Sequence, residues 1–204
     1  MAEKPLILLV DDEPILRRTL GELLRASGWA VAELGEGTAA VETAQRLRPH
    51  LVVLDIGLPI VDGFAICERL RALPDFEETP VLMLTGRDDA DSIRRAFEVG
   101  ATDFVTKLVA PALIVNRVRF MLRAASTMNA LRRSETRLAE AQRIARMGSW
   151  ELDVGSGAFA ASAETFRLLR LGEHAGVHPL AAVRAAIASD QREAFDKELQ
   201  SALT

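Results

Sequence analysis

Leu51-Val52-Val53-Leu54-Asp55 is an aliphatic run that ends on a carboxylate, and Ile56-Gly57-Leu58-Pro59 and Asp62-Gly63 follow it. The run has the length of a strand. It is rich in β-branched and aliphatic residues without polar alternation, as in a strand covered on both faces. Four further runs match it, at 6–10, 29–34, 81–84 and 103–105. Between the first two, Ile15, Leu16, Leu20, Leu23 and Leu24 recur at helical spacing, with Arg17, Arg18, Glu22 and Arg25 on the other side. Ser27-Gly28 ends that helix, glycine accepting the left-handed turn of a C-cap. Segments 37–47, 63–73 and 89–99 read as helices too, the last stopped by Gly100. Strands alternating this regularly with helices predict an α/β, doubly wound parallel sheet with helices on both faces.

The polar residues then fall into place. Asp11, Asp12 and Glu13 follow the first run, Asp55 the third, Thr85 the fourth and Lys107 the fifth. The carboxyl ends of parallel strands share one edge, and ligands bind where the strand order reverses. Three carboxylates in one crevice repel one another unless a cation intervenes. An all-oxygen set with few protein ligands suits Mg²⁺, which commonly joins carboxylate to phosphate. A carboxylate can also act as a nucleophile toward phosphorus, with an ammonium and a hydroxyl stabilising the transferring group.

Asp11-Asp12, Asp55, Thr85 and Lys107, with Leu58-Pro59 and Asp62-Gly63, together resemble the receiver domain of bacterial response regulators over residues 5–123. The resemblance implies a five-stranded flavodoxin-like sheet in the order 2-1-3-4-5, with Asp55 phosphorylated from a phosphohistidine on a sensor histidine kinase or phosphotransfer protein. It implies Mg²⁺ held directly by Asp12 and Asp55, by Asp11 through water and by the Gly57 carbonyl. Thr85 and Phe104 would form the switch, the Phe104 ring turning inward as Thr85 moves toward the phosphate.

Three positions depart from the family pattern. Leu108 follows Lys107 where the family has proline, often after a cis bond. A cis bond before a non-proline residue costs ~2.5–4 kcal/mol, so either a trans bond with a reshaped loop or a strained exception is expected. Leu108-Val109-Ala110 is also apolar enough to suit a subunit contact. Gly57 and Arg87 stand where the family modulates loss of the phosphoryl group.

Composition sets the setting. The 204 residues are 49% hydrophobic and 26% charged, with a net charge of −4. That charge, and the lack of a basic helix-turn-helix pattern, argue for no nucleic-acid partner. Cys67 is the only cysteine and reads as a small buried group, which fits a reducing, cytoplasmic location. Residues 6–10 are too short for a signal core or a membrane span. Trp29 and Trp150 read as core, and the three histidines lack metal-ligand spacing.

From Pro111 to Met147 no glycine intervenes and no further proline follows. Met121, Ala124, Met128, Leu131, Leu138 and Ala145 fall on a heptad seam, with Glu135 and Gln142 at two stations. A long helix is expected, with residues 124–147 forming a coiled-coil linker that pairs two copies in a homodimer. Residues 149–154 and 158–160 read as a hairpin around Gly155-Ser156-Gly157, and helices follow near 163–171, 180–188 and 191–203. Ala141-Gln142-Arg143, Met147-Gly148-Ser149-Trp150-Glu151 and the run 162–171 resemble the start of a PAS sensory domain. On this reading residues 1–123 are the receiver and 148–204 a truncated, α+β PAS-like segment.

The expected function is a phosphoacceptor signalling module, not an enzyme beyond self-catalysed phosphoryl transfer and dephosphorylation. A cyclic-di-GMP enzyme or histidine kinase is the expected output, outside this sequence. The alternative is a phosphorylation-independent scaffold that keeps the fold for dimerisation and interaction, with a DNA-binding regulator as a third option set behind both.

Overall fold

One strand is enough to show how both covers of the sheet are built. Along β1 (Leu6–Val10), Leu8 and Val10 pack into one layer and Ile7 and Leu9 into the other. The computed structural model describes residues 4–86, 90–168 and 176–202. β2 (Ala30–Leu34), β3 (Leu51–Asp55), β4 (Val81–Thr85) and β5 (Asp103–Thr106) join β1 in an all-parallel sheet of order β2-β1-β3-β4-β5. The order reverses between β1 and β3, and the crevice therefore opens at their carboxyl ends.

The helices are α1 (Pro14–Ala26), α2 (Ala40–Leu47), α3 (Gly63–Arg71), α4 (Ala90–Glu98) and α5 (Pro111–Ala145). Ala40, Ala44, Phe64, Cys67, Leu70 and Ala96 from α2, α3 and α4 cover Leu8, Val10, Val52, Leu54 and Met83. Leu20 and Leu24 of α1, with Ile114, Val118 and Met121 of α5, cover Ile7, Leu9, Leu51, Val53 and Leu82. Each leucine, isoleucine, valine, phenylalanine or methionine among them is worth ~1.5–3 kcal/mol on burial, and the strands have no solvent face to spare. β3 and β4 run one residue past the apolar runs and take in Asp55 and Thr85. The hydrogen bond from Ile56 N to Leu84 O (2.9 Å) carries the ladder to that edge.

α5 is a single helix of 35 residues, buried through Ile114, Val115, Val118 and Met121. Beyond these, Met128, Leu131 and Leu138 are exposed along the expected seam. The chain divides into two compact units, 1–129 and 130–204. The boundary expected after residue 123 falls inside α5. No helix among the described residues is long and apolar enough to cross a membrane.

In the second unit β6 (Trp150–Asp153), β7 (Ala158–Ala161) and β8 (Gly176–Pro179) form an antiparallel sheet of order β6-β7-β8, with α6 (Ala163–Leu168), α7 (Leu180–Ala186) and α8 (Arg192–Ala202). The expected hairpin is present. Asp153 Oδ1 accepts the Gly155 and Ser156 N–H groups at 2.9 Å each, and Gly157 takes φ +70°. Trp150 corrects an expectation. It is not core but 49% exposed, with its ring stacked on Phe159 at 5.5 Å, because it lies on the edge strand of a three-stranded sheet.

Candidate functional site

The edge where β1, β3, β4 and β5 end gathers the residues that the sequence singles out. Asp11, Asp12 and Asp55 each bring a carboxylate oxygen within 4.8 Å of the others, Asp11 and Asp55 buried and Asp12 exposed. Lys107, just after β5, places Nζ 2.9 Å from Asp11 Oδ2 and 2.8 Å from Asp55 Oδ2. Its main-chain N–H donates to Thr85 O at 2.7 Å, which fixes where the lysine leaves the sheet. Thr85 is buried, one residue beyond the Leu84 that pairs in register with Asp55.

The turns after the strands aim the carboxylates. Asp11 Oδ1 accepts the Glu13 N–H at 2.8 Å, and Asp55 Oδ1 accepts the Gly57 N–H at 3.0 Å. Asp62 Oδ1 caps α3 by accepting the Ala65 N–H at 2.8 Å. At Gly63 a Cβ would lie 2.3 Å from the Asp55 carbonyl oxygen, so the start of α3 closes on the backbone of the central aspartate only because residue 63 is glycine. Between them the Val61 N–H donates to Pro59 O at 2.8 Å, and Ile60 sits at φ +72° with 87% of its surface exposed. That is the hydrogen bond of a γ-turn, an uncommon conformation for a β-branched residue.

The electrostatics are those of a crowded anionic pocket. Burial holds the Asp55 carboxyl above its ordinary value, although the Lys107 ammonium and the Gly57 N–H pull it down; the charge of Asp11 adds to the rise. Burial alone would lower the Lys107 ammonium, but hydrogen bonds and charge from Asp55 and Asp11 outweigh it and leave it raised. One cation is therefore shared between two buried carboxylates. The Lys107 ammonium faces Asp11 Oδ2, and no other group among the described residues does so as a hydrogen-bond donor. A hard divalent cation fits this donor set: an all-oxygen cluster, two buried carboxylates that share a single ammonium, and one ligand open to solvent.

Phe104 on β5 is half-buried, with its ring edge-on to Phe97 of α4 at 5.8 Å and 89°. The Lys107–Leu108 bond is trans, no cis peptide occurring among the described residues. A proline at 108 would lack the N–H that Leu108 donates to Thr106 Oγ1 at 3.1 Å. The Leu108 side chain is 84% exposed within the single chain. Arg87 lies outside the described residues. Arg17, set on the outer side of α1 by its charge, in fact lies at i−3 and i−7 from the buried Leu20 and Leu24, and it donates from Nη1 to the Asp11 carbonyl at 2.6 Å.

Residues 7–119 match the model of the response regulator receiver domain. Among curated relatives, the DNA-binding response regulator MtrA of Mycolicibacterium smegmatis is 34% identical over 95% of this chain and 75% of its own length. The probable transcriptional regulatory protein TcrX of Mycobacterium tuberculosis is 37% identical over 57% of this chain and 49% of its own. The chain thus spans about three quarters of one relative and half of the other. Among solved structures, the BeF3-activated N-terminal receiver domain of Klebsiella pneumoniae RstA is 32% identical, covering 58% of this chain and 98% of its own at a TM-score of 0.54. The signal receiver domain of a signal transduction histidine kinase from Syntrophus aciditrophicus is also 32% identical, covering 59% and 91% at 0.55.

These relatives correct the expectation of no nucleic-acid partner. MtrA, aligned along nearly the whole chain, is by name a DNA-binding regulator. The exclusion leaned on a net charge of −4, but a whole-chain sum says nothing about the potential of one face.

Proposed function

The chain belongs to the response regulator receiver domain family, and on that premise we propose that Asp55 is the phosphoacceptor of a two-component relay, supplied by a sensor histidine kinase or phosphotransfer protein. The observation that carries this is the Lys107 ammonium held between Asp55 and Asp11 at 2.8 and 2.9 Å. In the reaction the Asp55 carboxylate forms a bond to phosphorus as the P–N bond of a phosphohistidine breaks, and the electron pair stays with the imidazole. Lys107 balances charge on the phosphoryl oxygens, and the Thr85 hydroxyl donates to one of them. Asp12, Asp55 and the Gly57 carbonyl would hold Mg²⁺, with Asp11 as the outer carboxylate of the set. When bound, the ion neutralises the carboxylates and the phosphoryl oxygens together. Thr85 and Phe104 report the phosphorylated state by moving together.

Acetyl phosphate with Mg²⁺ is expected to add one phosphoryl group to the chain, located by peptide mapping to the segment that contains Asp55. A label elsewhere, or none, would sink the proposal. It would favour the scaffold reading instead.

The same proposal takes residues 124–147 as a helical linker that pairs copies through Met128, Leu131 and Leu138, and 148–204 as a PAS-like segment. The antiparallel β6-β7-β8 sheet supports the second part. A DNA-binding output is the competing reading, favoured by the MtrA alignment over 95% of this chain. Fluorescence anisotropy with duplex DNA at low salt, with and without acetyl phosphate, separates them. Binding that weakens steeply with salt and responds to phosphorylation supports the DNA reading, and flat titrations remove it.

A further inference from the structure

We infer that Arg17 is a positioning residue for the acidic cluster, held over the end of β1 by a brace for which two glycines leave room. The inference rests on the phosphoacceptor reading of the site. Arg17 lies in the first turn of α1, and its Nη1 donates to the Asp11 carbonyl at 2.6 Å. That carbonyl belongs to the peptide joining Asp11 to Asp12. A peptide is planar, so fixing its oxygen also fixes the Asp12 N–H and the direction in which Asp12 leaves the chain. The Asp11 N–H is tied on its other side to Leu34 O of β2 at 3.1 Å. The dipeptide that supplies two of the three carboxylates is thus anchored to both β2 and α1.

The brace behind Arg17 is ionic. Glu33 pairs in register with Leu9 of β1, so its side chain shares the face where Leu9 meets the α1 layer. Its Oε1 lies 2.6 Å from Arg25 Nη2, and its Oε2 lies 3.9 Å from Arg17 Nε. A carboxylate there needs space that a packed helix face would not leave. At Gly21 a Cβ would stand 2.3 Å from Glu33 Oε1. At Gly35 a Cβ would stand 3.2 Å from Arg17 Nη1 and 3.4 Å from its Cζ, so the guanidinium lies against bare backbone on its way to Asp11. Both glycines have neighbours in this one network.

Position and charge predict opposite outcomes. As a cation near an acidic cluster, Arg17 opposes a second cation, and removing it on charge grounds alone would tighten Mg²⁺ binding. As the anchor of the Asp11–Asp12 peptide it favours binding, and loss of a group that orients metal ligands typically costs 10–100-fold in affinity. The test is a calorimetric Mg²⁺ titration of the full chain and of Arg17→Met, Arg17→Lys and Gly35→Ala, with acetyl phosphate labelling and a thermal melt of each. Arg17→Met is expected to weaken Mg²⁺ about tenfold, with labelling restored once the ion is raised to saturation. Arg17→Lys, with one donor in reach, recovers part of the loss. Gly35→Ala displaces only the end of a flexible side chain, so it is expected to weaken Mg²⁺ with an unchanged melt, and it decides the matter if Arg17→Met fails to fold. Unchanged or tighter Mg²⁺ binding in Arg17→Met or Gly35→Ala would overturn the inference. Wild-type protein that takes up neither ion nor label would overturn the phosphoacceptor reading itself.

Discussion

Asp55→Asn is expected to take up no phosphoryl group while folding at least as stably as the wild type without metal. The chemical half follows from the loss of the proposed nucleophile, since an amide oxygen does not form the acyl phosphate that a carboxylate does. The stability half follows from burial. Asp55 is held above the ordinary 3.8, so the folded protein binds this proton more tightly than the unfolded chain does. The stabilisation linked to it is complete below the ordinary value and is lost as pH rises through the raised folded value. At neutral pH the ionised carboxylate therefore costs the metal-free fold stability, and the isosteric amide removes that cost. Mg²⁺ should reverse the ranking. A ligand at a hundred times its Kd adds about 2.7 kcal/mol to the state that binds it, and the variant has lost one of the carboxylates proposed to hold the ion. Melts of both proteins with and without Mg²⁺ at pH 7 check this. A variant clearly less stable than the metal-free wild type would show that Asp55 is chiefly a structural partner of Lys107.

This cost explains why the site was legible from the sequence when parts of its surroundings were not. Asp55, Thr85 and Lys107 break sharply with the strands that lead to them, because a strand covered on both faces tolerates a polar residue only where it runs out of cover. The same contrast placed Asp11 and Asp12. Arg17 gave no such signal. Arg17 lies three and seven residues before Leu20 and Leu24, on their side of α1, but an arginine at that position reads as one whose head reaches water, and only the register of Glu33 with Leu9 shows what it meets. The exposed, left-handed Ile60 was equally silent, since backbone strain is a property of the closed loop and not of the residue's type. β8 was missed because four residues bounded by Gly176 and Pro179 carry turn signals, although they pair along all of β7. Trp150 misled for a related reason: a large aromatic in a strand reads as core only if something covers the strand, and β6 is an edge.

Lys107→Met should separate the two tasks of the lysine by moving them in opposite directions. Its ammonium compensates two buried carboxylates at 2.8 and 2.9 Å, and only 15% of the side chain reaches solvent. Removing one member of a buried ionic cluster typically costs about 3–5 kcal/mol, because the charges left behind stay desolvated. The metal-free variant should therefore melt well below the wild type. In the wild type the raised Lys107 contributes stability that is present below its ordinary 10.5 and is lost as pH rises through the folded value. The variant lacks that contribution, and Asp55 loses the neighbour that pulled its carboxyl down. Its stability should fall as pH rises from the acid side toward neutrality, the reverse of ordinary acid denaturation. Mg²⁺ should bind the variant more tightly, since a competing cation has gone from the cluster. Phosphoryl transfer at saturating Mg²⁺ should nonetheless slow by about 10²–10³-fold, the usual loss when one preorganised group facing the developing charge is deleted. Tighter metal with slower labelling is the signature of a lysine that acts on the transferring group. If affinity and rate fell together, Lys107 would serve only to hold the carboxylates in place.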